Sequence, residues 1–393
     1  MQRTPPWQGL AFSRSEYDAR LKRVTEEMEN RKLDALLLFD PVSHVYLTGY
    51  QSMEETYYRC QIVAPSGHVS MVTSNFERPG IDLTSWVTDI SEYHYSRGDQ
   101  VATTLDSLKK AAPSPRRVGI ESEGFVLTPQ KYEKISGSIK GAEVVEASDL
   151  VRTLRRVKSR KELEYTRRAA EITSEGMKAA IDAVRPGAKD LDIAAEAYRV
   201  MTKKGSEYMC YAPFVTTGRR SGVPHTTFMG FPIGKRDNVF LELGAVVKRY
   251  NAPLMRTVHV GTAPKDAAKN AEALIAVLNE TIDSIAPGLA CDEVARKVQR
   301  RGIRAVGSRI ISPSLVDGDF GYGIGLGFPP FWGSDGPLVS LTHKTILEPG
   351  MVFHLNETLR EVGVYGMSFS ETVVVTKAGC EVLTDYPREF IAK

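Results

Sequence analysis

Leu154-Arg-Arg-Val-Lys-Ser-Arg-Lys-Glu162 is where the chain changes character. Upstream of it, helical and strand patterns alternate. Residues 13–31 carry Tyr17, Leu21, Val24 and Met28 at helical spacing. Asp34-Ala-Leu-Leu-Leu-Phe-Asp40 is a short apolar run closed by Pro41, the pattern of a buried strand. Residues 61–64, 68–73 and 117–121 read as further strands, and 128–136 as a helix between strands. The alternation predicts an α/β domain over residues 1–157. Downstream, elements come in blocks. A long helix over 161–184 is stopped by Pro186-Gly187, and a second follows over 190–204. Strands are expected at 211–217, 238–247 and 256–261, then helices at 264–286 and 292–302. A glycine-rich loop precedes strands at 351–359 and 371–376. Blocks of this kind predict an α+β domain over residues 158–393. Residues 161–217 and 264–312 share a faint helix–helix–strand order.

The composition excludes several function classes. The 393 residues include 42% hydrophobic, 25% charged and 8% aromatic residues, a globular profile large enough for two cores. Lys plus Arg is 51 against 48 acidic residues, a net charge of +3. That balance gives no global attraction to nucleic acid or anionic membrane. The densest basic stretch, residues 152–161, reads as a solvated face. No apolar run is long enough to span a bilayer, and residues 1–12 lack the apolar segment of a secretory leader. Cys60, Cys210, Cys291 and Cys380 are scattered with no C-x-x-C, which fits a reducing, cytoplasmic location.

Familiar motifs are mostly absent. Gly321-Tyr-Gly-Ile-Gly-Leu-Gly327 has the glycines of a dinucleotide loop, but Asp317–Asp319 before it and Pro329-Pro330 after it are the wrong flanks. P-loop, H-E-x-x-H and G-x-S-x-G sequences do not occur. The informative residues are polar groups inside apolar strand runs. Glu242 lies in Asn238-Val-Phe-Leu-Glu-Leu-Gly-Ala-Val-Val247, and Glu371 opens Glu-Thr-Val-Val-Val-Thr376. A carboxylate buried among such neighbours needs a partner or a chemical job. In Met351-Val-Phe-His-Leu-Asn-Glu-Thr-Leu359, alternation puts His354 and Asn356 on one face and Glu357 on the other. His225 sits in the loop sequence Gly222-Val-Pro-His-Thr-Thr. Taken singly, a strand-edge carboxylate is more often salt-bridged than catalytic, and His354 reads first as a satisfied core histidine.

Taken together and in order, Lys158-Ser-Arg-Lys-Glu-Leu-Glu, Gly321-Tyr-Gly-Ile-Gly-Leu, Leu347-Glu-Pro-Gly-Met-Val-Phe and Glu371-Thr-Val-Val-Val-Thr resemble the pita-bread (M24) family of creatinases, prolidases and methionine aminopeptidases. Asp40-Pro through Tyr46-Leu-Thr-Gly-Tyr50 resembles the start of the creatinase/prolidase N-terminal domain. The resemblance implies a pita-bread catalytic domain over 158–393 preceded by that α/β domain. It also implies five metal-ligand positions in the peptidases of the family. Here they fall on Glu242, Pro253, Tyr322, Asn356 and Glu371, and the peptidases' second histidine on Pro329. Proline offers no side-chain donor, and neutral tyrosine and asparagine are poor divalent-ion ligands. No catalytic metal and no other cofactor is therefore expected.

Within the family, the sequence is most similar to its metal-independent members, creatinase and above all ectoine hydrolase. Glu242, Arg249-Tyr250, Pro253, Arg256-Thr257-Val258, Tyr322, Pro329-Pro330, Trp332-Gly333, Phe353-His354 and Glu371 carry that likeness. Met255 stands where creatinase has a glutamate. The resemblance implies hydrolysis of a C–N bond in a small cyclic amidine or amide, opening a ring of the ectoine or 5-hydroxyectoine type. Glu242 would attack or activate water, His225 would shuttle the proton, and Glu371 would hold the amidinium. Tyr322, His354, Asn356, Arg256 and Trp332 would bind substrate, with Arg256 a donor for a substrate carboxylate. The alternatives are a creatinase-like amidinohydrolase, a metal-dependent Xaa-Pro peptidase and a non-catalytic binding module. By analogy, a homodimer would bring Tyr46, Tyr57 and Tyr58 of one N-terminal domain near the site of the other subunit.

Overall fold

Apolar runs bounded by capping residues become sheets in both parts of the chain. A computed structural model describes residues 9–54, 56–306, 316–333 and 336–393, the side chains of 302–306 excepted. Residues 1–8 of the segment read for a leader, and the end of the helix–helix–strand echo at 307–312, lie outside the described residues. The chain divides into two units, residues 1–155 and 156–393.

In the first unit, α1 (Arg14–Asn30) is capped by the Ser13 hydroxyl, which accepts from the Glu16 N–H. It is followed by β1 (Ala35–Leu38) and α2 (Pro41–Thr48), whose cap is the Asp40 carboxylate. Then come β2 (Cys60–Val63), β3 (Val69–Ser74), α3 (Arg78–Thr84), β4 (Asp89–Tyr93), α4 (Gln100–Ala111), β5 (Arg117–Ile120), α5 (Pro129–Ser138), β6 (Glu143–Glu146) and α6 (Ser148–Leu154). The six strands form one mixed sheet ordered β4-β3-β2-β1-β5-β6. The continuously apolar β1 runs inside it, antiparallel to β2 and parallel to β5. The basic stretch at 152–161 is not simply a solvated face. Arg155 and Lys158 are buried, and Arg155 reaches the Ser43 hydroxyl. Tyr46 and Tyr58 are also buried, so neither can reach out toward another subunit; only Tyr57 has an accessible ring.

The second unit begins with a reciprocal cap. Ser159 accepts from the Glu162 N–H while the Glu162 carboxylate accepts from the Ser159 N–H, starting α7 (Arg160–Ala183). Next are α8 (Asp190–Lys203), β7 (Phe214–Thr217), β8 (Asn238–Val247), β9 (Tyr250–His259), α9 (Lys265–Ser284), α10 (Cys291–Val306), β10 (Asp319–Gly323), β11 (Leu338–Ser340), β12 (Val352–Glu361), β13 (Tyr365–Thr376), β14 (Gly379–Val382) and β15 (Ile391–Ala392). They build two sheets, β11-β10-β12-β13-β14 and β15-β9-β8-β7. α7 and α8 share an apolar core with β8 and β9, and α9 and α10 share another with β12 and β13. The sheets meet where the Thr257 hydroxyl donates to the Ser368 carbonyl and accepts its N–H.

Two sequence expectations change here. The glycine-rich stretch is partly the strand β10, not a loop. A Cβ at Gly323 would strike the Gly336 backbone, so glycine permits the close approach that pairing requires. β9 begins at Tyr250, before the expected 256. The β8–β9 turn is made by Lys248 and Arg249 at φ 50° and 68°, a conformation that local sequence disfavours. It is held by tertiary contacts: the Arg249 guanidinium donates to the Gly327 and Tyr208 carbonyls and stacks on the Tyr208 ring.

Candidate active site

Three adjacent strands place Phe214, Glu242 and Met255 side by side, in register across β7, β8 and β9. Glu242 therefore has apolar cross-strand neighbours on both sides. All three line a cavity of about 400 Å³ in the second unit. From the other sheet, Tyr322 on β10 and Asn356, Thr358 and Arg360 on β12 complete its walls, with His225 and Trp332 contributed by loops. Asp317 and Asp319 stand exposed at its edge.

The Glu242 carboxyl is pushed up to about 7, mainly by burial. Arg360 and the nearby Trp332 indole oppose that rise. Trp332 has two roles in the structure. It lines the cavity, and it packs the loop down, its ring 4.8 Å from that of Tyr211 and flush against Gly244. His225 is exposed, at φ 57°, on the loop that follows the short helix Gly218–Gly222.

Tyr322 and His354 are directly paired across β10 and β12. The Tyr322 hydroxyl lies 2.8 Å from His354 Nδ1, and His354 Nε2 lies 2.7 Å from Ser370 Oγ. Ser370 Oγ also accepts the Met255 N–H at 2.7 Å. Burial lowers the His354 ring to about 3, so it is neutral and carries one proton. One proton arrangement uses every group: Ser370 donates to Nε2, Nδ1–H donates to the tyrosine oxygen, and the phenol proton is left for an acceptor in the cavity. Burial also holds Tyr322 well above the usual phenol range, which keeps that proton on.

His354 is thus a buried, satisfied histidine, and it supports Tyr322 from behind. Glu371 and Arg256 are also behind the wall. They pair with each other at 2.6 Å, and Arg388 adds a second cation at 3.1 Å from the same carboxylate oxygen. The Thr384 hydroxyl donates to the other oxygen. The remaining Arg256 donors go to the Pro387, Met255, Ser370 and Tyr386 carbonyls. With its donors spent internally, Arg256 cannot serve as the substrate's carboxylate donor, and Glu371 already has its cations. Of the eight residues expected, the structure brings Glu242, His225, Tyr322, Trp332 and Asn356 to the cavity. It places Glu371, Arg256 and His354 in its support. Thr358 and Arg360 were missed, although extending the alternation 354, 356 by two further steps along β12 reaches both.

Residues 164–377 match the metallopeptidase family M24, and residues 20–157 match the creatinase/prolidase N-terminal domain. The chain belongs to family M24. It is a hydrolase of that family, with a pita-bread catalytic domain behind a creatinase-type N-terminal domain. It is 28% identical to the ectoine hydrolase of Halomonas elongata, over 98% of this chain and 99% of that one. It is 25% identical to an Xaa-Pro dipeptidase of Pyrococcus horikoshii, over 95% and 98%. Among solved structures, the Xaa-Pro dipeptidase from Bacillus anthracis superposes with a TM-score of 0.81, at 22% identity, over 96% of this chain and all of that one.

Metallopeptidases of the family imply bound metal, and the donors present here do not fit a two-metal centre. Pro253 lies in mid-strand opposite Gly244, and the Glu371 carboxylate is occupied by two arginines. Among the described residues no three His, Cys, Asp or Glu side chains cluster as a metal site would require. Among the same residues, no helix is long and apolar enough to cross a membrane.

Proposed function

We propose that the chain hydrolyses a C–N bond in a small cyclic amidine or a related cyclic amide, without a catalytic metal, opening a ring of the ectoine or 5-hydroxyectoine kind. The observation that carries this reading is Glu242: a buried carboxylate with apolar strand neighbours, facing the cavity, with no ion pair to any described residue. Such a group is held ready for a cationic or electrophilic substrate. The likeness to ectoine hydrolase supports it.

In this mechanism a substrate amidinium favours the carboxylate form of Glu242, whose proton passes to His225, directly or through solvent. The carboxylate then delivers the attack on the ring carbon, directly or through a water molecule. The ring C–N bond breaks, and the leaving nitrogen takes a proton from His225. Tyr322 donates its phenol proton as a hydrogen bond to the developing tetrahedral centre. One water is gained and one ring is opened. Glu371 and Arg256 hold the wall rather than the substrate. We also propose a cytoplasmic homodimer with Tyr57 of one subunit near the site of the other, which sedimentation of the active enzyme would test.

The decisive experiment incubates the purified protein with ectoine in the presence of a chelator and scores ring opening with one water gained by mass spectrometry. In parallel, it offers an Xaa-Pro dipeptide with manganese. Turnover of ectoine under chelation supports the reading. Dipeptide cleavage that needs the metal replaces it with the peptidase reading, which the likeness to the dipeptidases favours. Turnover of creatine alone would move it to the amidinohydrolases.

A further inference from the structure

Arg360 stands apart from the other arginines in the core of the second unit. Arg249 and Arg256 are fully buried, and their guanidinium groups are surrounded by acceptors. Arg360 is half-buried in the cavity wall, on the same face of β12 as Asn356 and Thr358. It makes no hydrogen bond or ion pair with any described residue. Glu242, Asp317 and Asp319 share the cavity with it, and none of them forms an ion pair with it.

A guanidinium partly withdrawn from water and left without acceptors is costly unless an anion arrives to use it. Its planar fork matches a carboxylate by two parallel hydrogen bonds. Burial lowers the Arg360 pKa from its usual value and Glu242 opposes that shift; a guanidinium keeps its proton in proteins. Among the described residues, the cavity then holds carboxyl groups at Glu242, Asp317 and Asp319 and, at Arg360, a guanidinium with no ion-pair partner. Resting on the hydrolase reading above, we infer that the substrate is a zwitterion whose carboxylate is bound by Arg360 while its cationic ring faces Glu242. Arg360 takes the role that the sequence had suggested for Arg256.

The test measures binding by calorimetry to wild type, Arg360→Gln and Arg360→Lys, with two pairs of probes. One pair is ectoine and the same methylated cyclic amidine lacking the carboxylate. The other is alanyl-proline and alanyl-prolinamide. The pair that binds reports the substrate class, and so judges the hydrolase reading by itself. Within that pair, wild type is expected to prefer the carboxylate about 10- to 100-fold, the worth of a charge-assisted bidentate contact. Arg360→Gln should bring that ratio to about one, and Arg360→Lys should restore part of it, since lysine keeps the charge without the fork. A purely structural arginine would change both members of a pair alike. No carboxylate preference in either pair, or a preference that survives in Arg360→Gln, overturns the inference.

Discussion

Glu242 and Glu371 enter the fold from the same kind of sequence and end in opposite situations. Each lies in a strand that carries valine and phenylalanine, and each is buried. Glu371 is met by Arg256, Arg388 and Thr384. Glu242 is met by Phe214, Met255 and a cavity. Burial raises both carboxyls, but only at Glu371 do two arginines work against it at contact distance. A buried carboxylate therefore has no fixed meaning. With its cations in place it is a structural tie, and without them it is a group waiting for a substrate.

Four substitutions or conditions sharpen or break that contrast. Glu242→Gln should lower turnover by about 10,000-fold or more, the scale of removing a nucleophile or base, while far-ultraviolet circular dichroism stays unchanged. Residual activity near wild type would dismiss Glu242 from the chemistry. Glu371→Gln should cost about 3–5 kcal/mol in urea unfolding, because Arg256 is then left buried without its counter-charge. A change below about 1 kcal/mol would show that the carbonyls around Arg256 suffice to hold its charge.

The third prediction concerns pH. The Glu242 carboxyl is raised from 4.5 to about 7 in the folded chain. Folded protein thus keeps a proton that the unfolded chain releases, so this group's contribution is complete below pH 4.5 and is lost as pH rises toward 7. The loss is about 3 kcal/mol. Glu121, in the first unit, is raised to about 8 by burial and acts with the same sign, so wild type alone does not isolate Glu242. The difference between Glu242→Gln and wild type does: the variant should gain relative stability between pH 4.5 and 8, measured by urea midpoints at each end. Finally, Thr384→Val removes the hydrogen bond to Glu371 and the one that its hydroxyl accepts from the Thr372 N–H, and should cost about 2 kcal/mol with turnover unchanged.

Much of the fold was legible beforehand because helices announce their ends. Residues 161–184 were expected as a helix and Arg160–Ala183 is one, for the reason that Ser159 and Glu162 cap it and Pro186-Gly187 prevents its continuation. Periodicity likewise exposed α8 and α9. What escaped lacked a local signal. β10 is built from glycines whose reason is a neighbour's backbone, and β13 starts six residues before the expected 371, at Tyr365, through Gly366 and Ser368. In the site, the polar interruptions of apolar strands pointed correctly to buried groups, but not to what surrounded them. The alternation along β12 contained Thr358 and Arg360, but alternation alone does not distinguish a cavity wall from a packed sheet face.

Sequence by itself determined the two-unit architecture and the strand that carries Glu242. Those follow from residue type and periodicity, which are local properties. Only the tertiary structure decided which carboxylate is neutralised, which arginine is spent and which is left to face the cavity. Charge pairing depends on distances of a few ångströms between residues more than a hundred positions apart, as with Arg256 and Glu371.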